Sequence, residues 1–180
     1  MWTALIAAAF SIAADIITKL YIAQNFSFSD RMQLIPGIFN IINVSNDGIA
    51  FGMLGNARWL FMLATAVLVV ILAVFIIFAK GYHRLLYFSA GLVLGGGIGN
   101  FIDRIVTFGM YDKPKSVVDF IDFCAFPKYW MWTFNIADVA VCIGAGLFVL
   151  YLFAFDKKAF KNGKKAVLYE EKENGGKADE

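Results

Sequence analysis

Only one histidine, His83, occurs among the 180 residues. A Ser-His-Asp triad, a Cys-His pair and a His-Glu-x-x-His zinc site each need a histidine beside other reactive groups. His83 sits instead in a short basic link, Lys80-Gly81-Tyr82-His83-Arg84, so those chemistries are excluded. A Ser-Lys dyad stays formally open through Ser116 beside Lys115, in a polar stretch that reads as a loop. Cysteine is nearly as scarce. Cys142 falls within an apolar run as a small packing residue, and Cys124 has no evident partner for a disulfide. Charged residues make up 17% of the chain, against about 25% in an ordinary soluble domain. The net charge of +2 is too small to mark a nucleic-acid surface.

What fills the chain instead is hydrocarbon. It is 60% hydrophobic and 17% aromatic, with a mean hydropathy of +0.68. Crossing a bilayer core takes about 20 helical residues, and four stretches qualify, at about 2–21, 59–79, 85–106 and 132–155. The sequence thus predicts one membrane domain over 1–158 and a disordered tail over 159–180, where charge mixes with Gly and Asn. The first run lacks a basic start and a small-residue cleavage site, so it reads as a retained span rather than a signal peptide. Lys80 and Arg84 between spans two and three, and Lys157, Lys158, Lys161, Lys164 and Lys165 after span four, fall on one side of a four-span topology. That side reads as cytoplasmic, with both termini there.

The outward loop after span one carries local signals. Gln33-Leu34-Ile35-Pro36-Gly37 is turn-like, and Ile38 to Val44 is rich in strand formers. Ser45-Asn46-Asp47-Gly48 reads as a turn, and Ile49 to Leu54 as a short interfacial helix. A small sheet lying on the outer face is the natural expectation. Val117 to Phe123 fits either a strand or a helix entry. Gly91, Gly95, Gly96, Gly97 and Gly99 cluster in span three, where small residues let membrane helices approach closely. A phosphate loop is the poorer reading, because no strand precedes the cluster and no Gly-Lys-Ser/Thr follows it.

The polar residues that interrupt these runs carry the functional signal, because an ionised carboxylate beside hydrocarbon is costly. Asn100 and Asp103 share a face at the outer end of span three, and Asn135 and Asp138 repeat the spacing at the outer start of span four. If the two ends meet, an Asn–Asp pair from each helix converges at one depth. Helix capping accounts for an Asp at an N-terminus but not for the matching pair at the far end of span three. Two close carboxyls sharing a proton can activate a water, as in aspartyl hydrolases. Asp119 and Asp122 both qualify as the second carboxyl, and spacing does not choose between them. Asp15 and Lys19, four apart in span one, read as an intramembrane ion pair. Arg104 either offers its donors to backbone carbonyls of an unwound substrate or bridges to Asp103 or Asp119. Two other classes compete: a transporter or channel using Asp15, Asp103 and Asp138 as an ion path, and a non-enzymatic assembly subunit packed through the glycine face.

Five blocks in order resemble the bacterial signal peptidase II family, the lipoprotein signal peptidases. They are Ala14-Asp15-Ile16-Ile17-Thr18-Lys19, Asn46-Asp47-Gly48-Ile49-Ala50-Phe51-Gly52, Gly99-Asn100-Phe101-Ile102-Asp103-Arg104, Val117-Val118-Asp119-Phe120 and Phe134-Asn135-Ile136-Ala137-Asp138. The resemblance implies an all-α membrane protein of four transmembrane helices with a small cradle-like β-sheet on its outer face. It implies a metal-independent, cofactor-free aspartyl endopeptidase of the bacterial inner membrane. Such an enzyme cuts prolipoproteins on the amino side of a diacylglyceryl-modified cysteine. Carried over by motif, Asp119 and Asp138 form the catalytic pair, while Asp15, Asn46, Gly48, Asn100, Asp103, Arg104 and Asn135 bind substrate or support the site. The implied partners are lipid-modified precursors and membrane lipids, with no nucleic acid, and the protein is expected to be a monomer.

Overall fold

The computed structural model describes residues 1–28, 30–46, 58–105, 117–125 and 132–155. Among these, the helices are α1 (Trp2–Asn25), α2 (Arg58–Phe78), α3 (Arg84–Ile105) and α4 (Ile136–Ala154). The strands are β1 (Arg31–Ile35), β2 (Phe39–Asn46), β3 (Val117–Phe123) and β4 (Thr133–Phe134). The architecture is helical with one small antiparallel sheet, as the sequence implies. α1, α3 and α4 are long and apolar enough to cross a membrane. α2 has 21 residues, apolar over Met62–Phe78. The expected interfacial helix at 49–54, the loop at 110–116, the tail at 159–180 and Gly48 lie outside the described residues.

The glycines of α3 set how the helices meet. Gly91, Gly95 and Gly99 lie one turn apart and face Ala4, then Ala8 and Ser11, then Asp15 along α1. Both series rise together, so α1 and α3 run parallel. Gly96 faces Ala137 and Val141, while Gly144 faces Ser89 and Val93, so α4 runs antiparallel to α3. α2 also runs against α3, with Val69 and Thr65 beside Gly97 and the Tyr87 hydroxyl donating to the Ala79 carbonyl. One end of the bundle therefore collects the C-termini of α1 and α3 and the N-terminus of α4. At the other end, the His83 ring stacks on Phe155 at 4.4 Å between centroids.

This close approach depends on absent side chains. A Cβ on Gly95 would stand 2.7 Å from the Ala8 carbonyl oxygen and 2.8 Å from its Cα, so the α1 backbone would have to move. Overpacking of this kind typically costs about 1–3 kcal/mol, and occasionally more. Gly95→Val is expected to lower Tm by many degrees, while Gly146→Ala, with nothing within 4 Å of the new methyl, leaves it unchanged. Thermal melts of the two purified variants check this.

The sheet has the order β1-β2-β3-β4. The turn-like reading of Gln33 to Gly37 is corrected here: Arg31–Ile35 is strand, and the turn spans Pro36-Gly37-Ile38. Gly37 has φ 75°, and Ile38 N–H donates to the Ile35 carbonyl at 3.0 Å. Proline followed by a left-handed glycine is the type II arrangement. The strand reading of Ile38 to Val44 holds as β2 from Phe39 onward, Ile38 closing the turn, and β3 resolves the strand-or-helix choice in favour of strand. Ser45 and Asn46, expected in a turn, belong to β2. The fourth apolar run begins as helix only at Ile136, not near 132. Thr133 and Phe134 pair with Asp122 and Ile121 of β3, and Asn135 caps α4. The sheet packs on the end of α1 through Val118, Phe120 and Ile22, with Phe26 and Ile136 against them.

Candidate active site

The polar residues singled out by sequence converge where α1, α3, α4 and the sheet meet. Asp15 and Asn135 are 0% exposed, Lys19 1%, and Asp103 and Asp119 2%. Burial this complete demands partners for each charge and amide.

Lys19 and Asp15 form the expected pair, with Nζ donating to Asp15 Oδ2 at 2.6 Å. Lys19 reaches further than an ion pair within one helix. Its Nζ lies 2.7 Å from Asp103 Oδ2, a charge contact out of line for a hydrogen bond, and donates to Asn100 Oδ1 at 3.2 Å. The other Asp15 oxygen, Oδ1, accepts the backbone N–H of Ala137 at 2.9 Å. Asp15 thus ties α1 to the first turn of α4, where a carboxylate is favoured by free N–H groups and the helix dipole.

Asn135 is the hub. As N-cap of α4, its Oδ1 accepts the Asp138 N–H at 3.0 Å, and its own N–H donates to Asp138 Oδ2 at 3.2 Å. This is the reciprocal capping box. Capping is therefore real, yet it leaves polar groups over. The Asn135 amide donates to Asp119 Oδ1 at 2.6 Å and to Asn100 Oδ1 at 3.1 Å. Asn100 Nδ2 donates to Asp138 Oδ1 at 2.7 Å. Because Asn100 Oδ1 accepts from both Lys19 and Asn135, its amide can point only its nitrogen at Asp138. The matching Asn–Asp spacings on α3 and α4 thus meet as the sequence suggests.

Asp119 arrives from β3. Its second oxygen, Oδ2, accepts Asn46 Nδ2 from β2 at 2.6 Å. Burial pushes its carboxyl up to about 7; the Asn46 bond opposes that rise, the Asp138 charge adds to it, and the Asn135 bond and Lys19 oppose it. Asp122, three residues on, projects from the other face of the strand. It accepts from Asn40 Nδ2 at 2.8 Å and lies 3.7 Å from the largely exposed Arg31. Arg104 Nη1 donates to the Asn100 carbonyl one turn back at 2.9 Å. Sequence reasoning undervalued Lys19, whose i,i+4 spacing to Asp15 supplied a sufficient local partner. Asn43, discussed below, gave no signal beyond lying in a strand-forming run.

The arrangement holds two carboxyls on a single residue: Asn135 bonds Asp119 through its side-chain amide and Asp138 through its backbone N–H. Behind them one buried lysine, Lys19, is shared by two buried acids, Asp15 and Asp103. Ser11, next along α1, donates to its own helix at Ala7.

A family model described as "Signal peptidase (SPase) II" matches residues 7–154. The lipoprotein signal peptidase of Symbiobacterium thermophilum is 36% identical over 148 residues, 82% of this chain and 92% of that protein. That of Brevibacillus brevis is 38% identical over 160 residues, covering 88% and 99%. A solved structure described as "Bacterial membrane enzyme structure by the in meso method at 2.3 A resolution" aligns with TM-score 0.74 at 31% identity, covering 88% of this chain and 92% of that one. A second, at 1.9 Å, gives 0.74 at 32% identity. With its apolar helices and its buried acid–amide cluster, the chain belongs to the signal peptidase II family of multi-pass bacterial membrane proteins.

Proposed function

We propose that the protein is an aspartyl endopeptidase that removes signal peptides from diacylglyceryl-modified prolipoproteins, cutting on the amino side of the modified cysteine. The observation that carries this reading is the Asn135 amide, which bonds Asp119 while its backbone and carbonyl bond Asp138. Asp119 holds the shared proton, in keeping with its burial, and polarises the scissile carbonyl. Asp138, at the N-terminal end of α4, takes a proton from the attacking water. The two carboxyls act as one coupled unit. Asp15, Asn46, Asn100, Asp103 and Asn135 hold the pair in place, and Arg104 meets backbone carbonyls of the substrate. α2 is the fourth crossing, both termini are cytoplasmic, and the sheet lies on the outer face. The working unit is a monomer among membrane lipids, and 1–158 forms its membrane domain.

The direct test gives the purified protein a precursor in two forms, with and without the diacylglyceryl group. Cleavage before the cysteine of the lipidated form alone is expected. Cleavage of neither form refutes the reading, and ion flux through reconstituted vesicles would favour the transporter instead.

A pH effect follows from the raised Asp119 carboxyl, which titrates near 3.8 when unfolded and near 7 when folded. The folded state binds this proton more tightly, so the contribution to stability is present below about pH 4 and lost as pH rises through 7. A gap this wide corresponds to roughly 4 kcal/mol. Asp119→Asn removes the titration, so its Tm relative to the parent should rise between pH 4.5 and pH 8. Activity of the parent should decline above pH 7 as Asp119 loses the proton. Parallel melts and rate profiles measure both.

A further inference from the structure

The pairing of β2 with β3 is not regular. Ile41 stands opposite Ile121, but Val44 stands opposite Asp119, so Ile42 and Asn43 together oppose Phe120 alone. One extra residue in a strand inverts which side chains face which side beyond it. Continued without the extra residue, the ladder from Ile41 would set Asn43 opposite Asp119 and Ser45 opposite Val117. Asn46 would then project to the far face. With it, Asn46 stands opposite Val117, on the face of β3 that carries Asp119, and its amide reaches Asp119 Oδ2.

Something must hold the extra residue in place, because Ile42 and Val44 would sit equally well in a straight strand. Asn43 is 4% exposed, and its Nδ2 donates to the Phe26 carbonyl at 2.7 Å. Phe26 is itself fixed as the C-cap of α1, its N–H donating to the Ile22 carbonyl at 2.9 Å. Among the described residues the Asn43 side-chain oxygen, Oδ1, has no hydrogen-bond partner. The side chain is thus buried for one bond, across to α1.

We infer that Asn43 is a positioning residue: by clasping the end of α1 it locks the irregular step in β2 that turns Asn46 toward Asp119. The inference rests on the reading of Asp119 as a catalytic carboxyl. Among the described residues the charges acting on Asp119 are Lys19 from α1 and Asp138 from α4; on α3, Asp103 contacts Lys19 and Arg104 bonds the Asn100 carbonyl, and none of these is altered in the test.

The test is a double-mutant cycle on kcat/KM across pH, with Asn43→Val, Asn46→Ala and both together. Asn46→Ala should cost about tenfold and move the alkaline limb to higher pH, since the lost bond is one that holds the Asp119 proton less tightly. Asn43→Val should reproduce that loss and that shift. The double variant should be no worse than Asn43→Val alone. Deleting Asn43 removes the extra residue while keeping Asn46 opposite Val117, so the deletion should retain more activity than the valine. Multiplying losses, or an Asn43→Val profile with an unmoved limb, would overturn the inference. Failure of the valine and deletion variants alike to fold would assign Asn43 to stability alone and overturn it too. If Asp119→Asn cleaves at the parent rate, the reading of the dyad itself falls. An inactive Asp119→Asn beside an unshifted Asn43→Val removes only the role given to Asn43.

Discussion

Asp138→Asn, presented with a lipidated precursor, is expected to cleave about 10²- to 10⁴-fold more slowly than the parent, the usual worth of a positioned acid or base. Asp119→Asn should fall in the same range, and the double variant should be little worse than either, since groups acting as a unit do not add. The substitutions are nearly isosteric, so the loss should appear in kcat with the fold intact. At position 138 an asparagine oxygen can still accept the Asn135 N–H and keep the cap. Its nitrogen would then face Asn100 Nδ2, donor against donor, and Asn100 cannot turn because Lys19 and Asn135 hold its oxygen. A modest fall in Tm is therefore expected with Asp138→Asn. Single-turnover cleavage and melting on the same preparations separate the two effects, and a parent-like rate in either variant would sink the dyad.

Lys19→Met should be the most damaging change to stability. Lys19 is buried to 1% and is the cation shared by Asp15 and Asp103. Removing one partner from a buried ion cluster typically costs about 3–5 kcal/mol, because charges are left without a counterpart. Replacing the whole cluster costs far less. Lys19→Met combined with Asp15→Asn and Asp103→Asn is expected to recover much of the lost Tm, although the triple variant carries three substitutions. If the single and triple variants melt together, the cluster is not a balanced unit. Yields from membranes, read beside the melts, would show the same order.

The apolar runs, the basic link and the Asn–Asp spacings were legible because each is a local pattern that water, lipid or helix period imposes on sequence. The convergence of Asn100, Asn135, Asp119 and Asp138 was legible only as a conditional: spacing puts two groups on one face, but whether two faces meet depends on packing. Glycines 91, 95, 96 and 99 settle that packing by leaving room for α1 and α4. Thr133 and Phe134 were absorbed into the fourth apolar run because two residues of strand carry no period of their own. The irregular step in β2 was invisible for a different reason. Nothing in Ile41-Ile42-Asn43-Val44 distinguishes a strand with one extra residue from a regular one, since that choice is made by a carbonyl on α1, seventeen positions earlier. Lys19 shows the opposite limit: a satisfactory local partner hid two distant ones.

The pairing of Asp15 with Lys19 inside one helix has a consequence for biosynthesis. α1 leaves the ribosome before α3 and meets the bilayer without it. A helix carrying a lone lysine or a lone aspartate at that depth meets a barrier of a few kcal/mol. Carrying both, one turn apart and bonded, it inserts as an internally neutralised segment. The lysine then waits in the membrane for Asp103, an acid that has no counter-charge from Lys19 until α3 arrives beside it. Order of synthesis and order of charge neutralisation coincide: the Asp15–Lys19 pair lies within α1, and the Lys19–Asp103 contact needs α3 beside it.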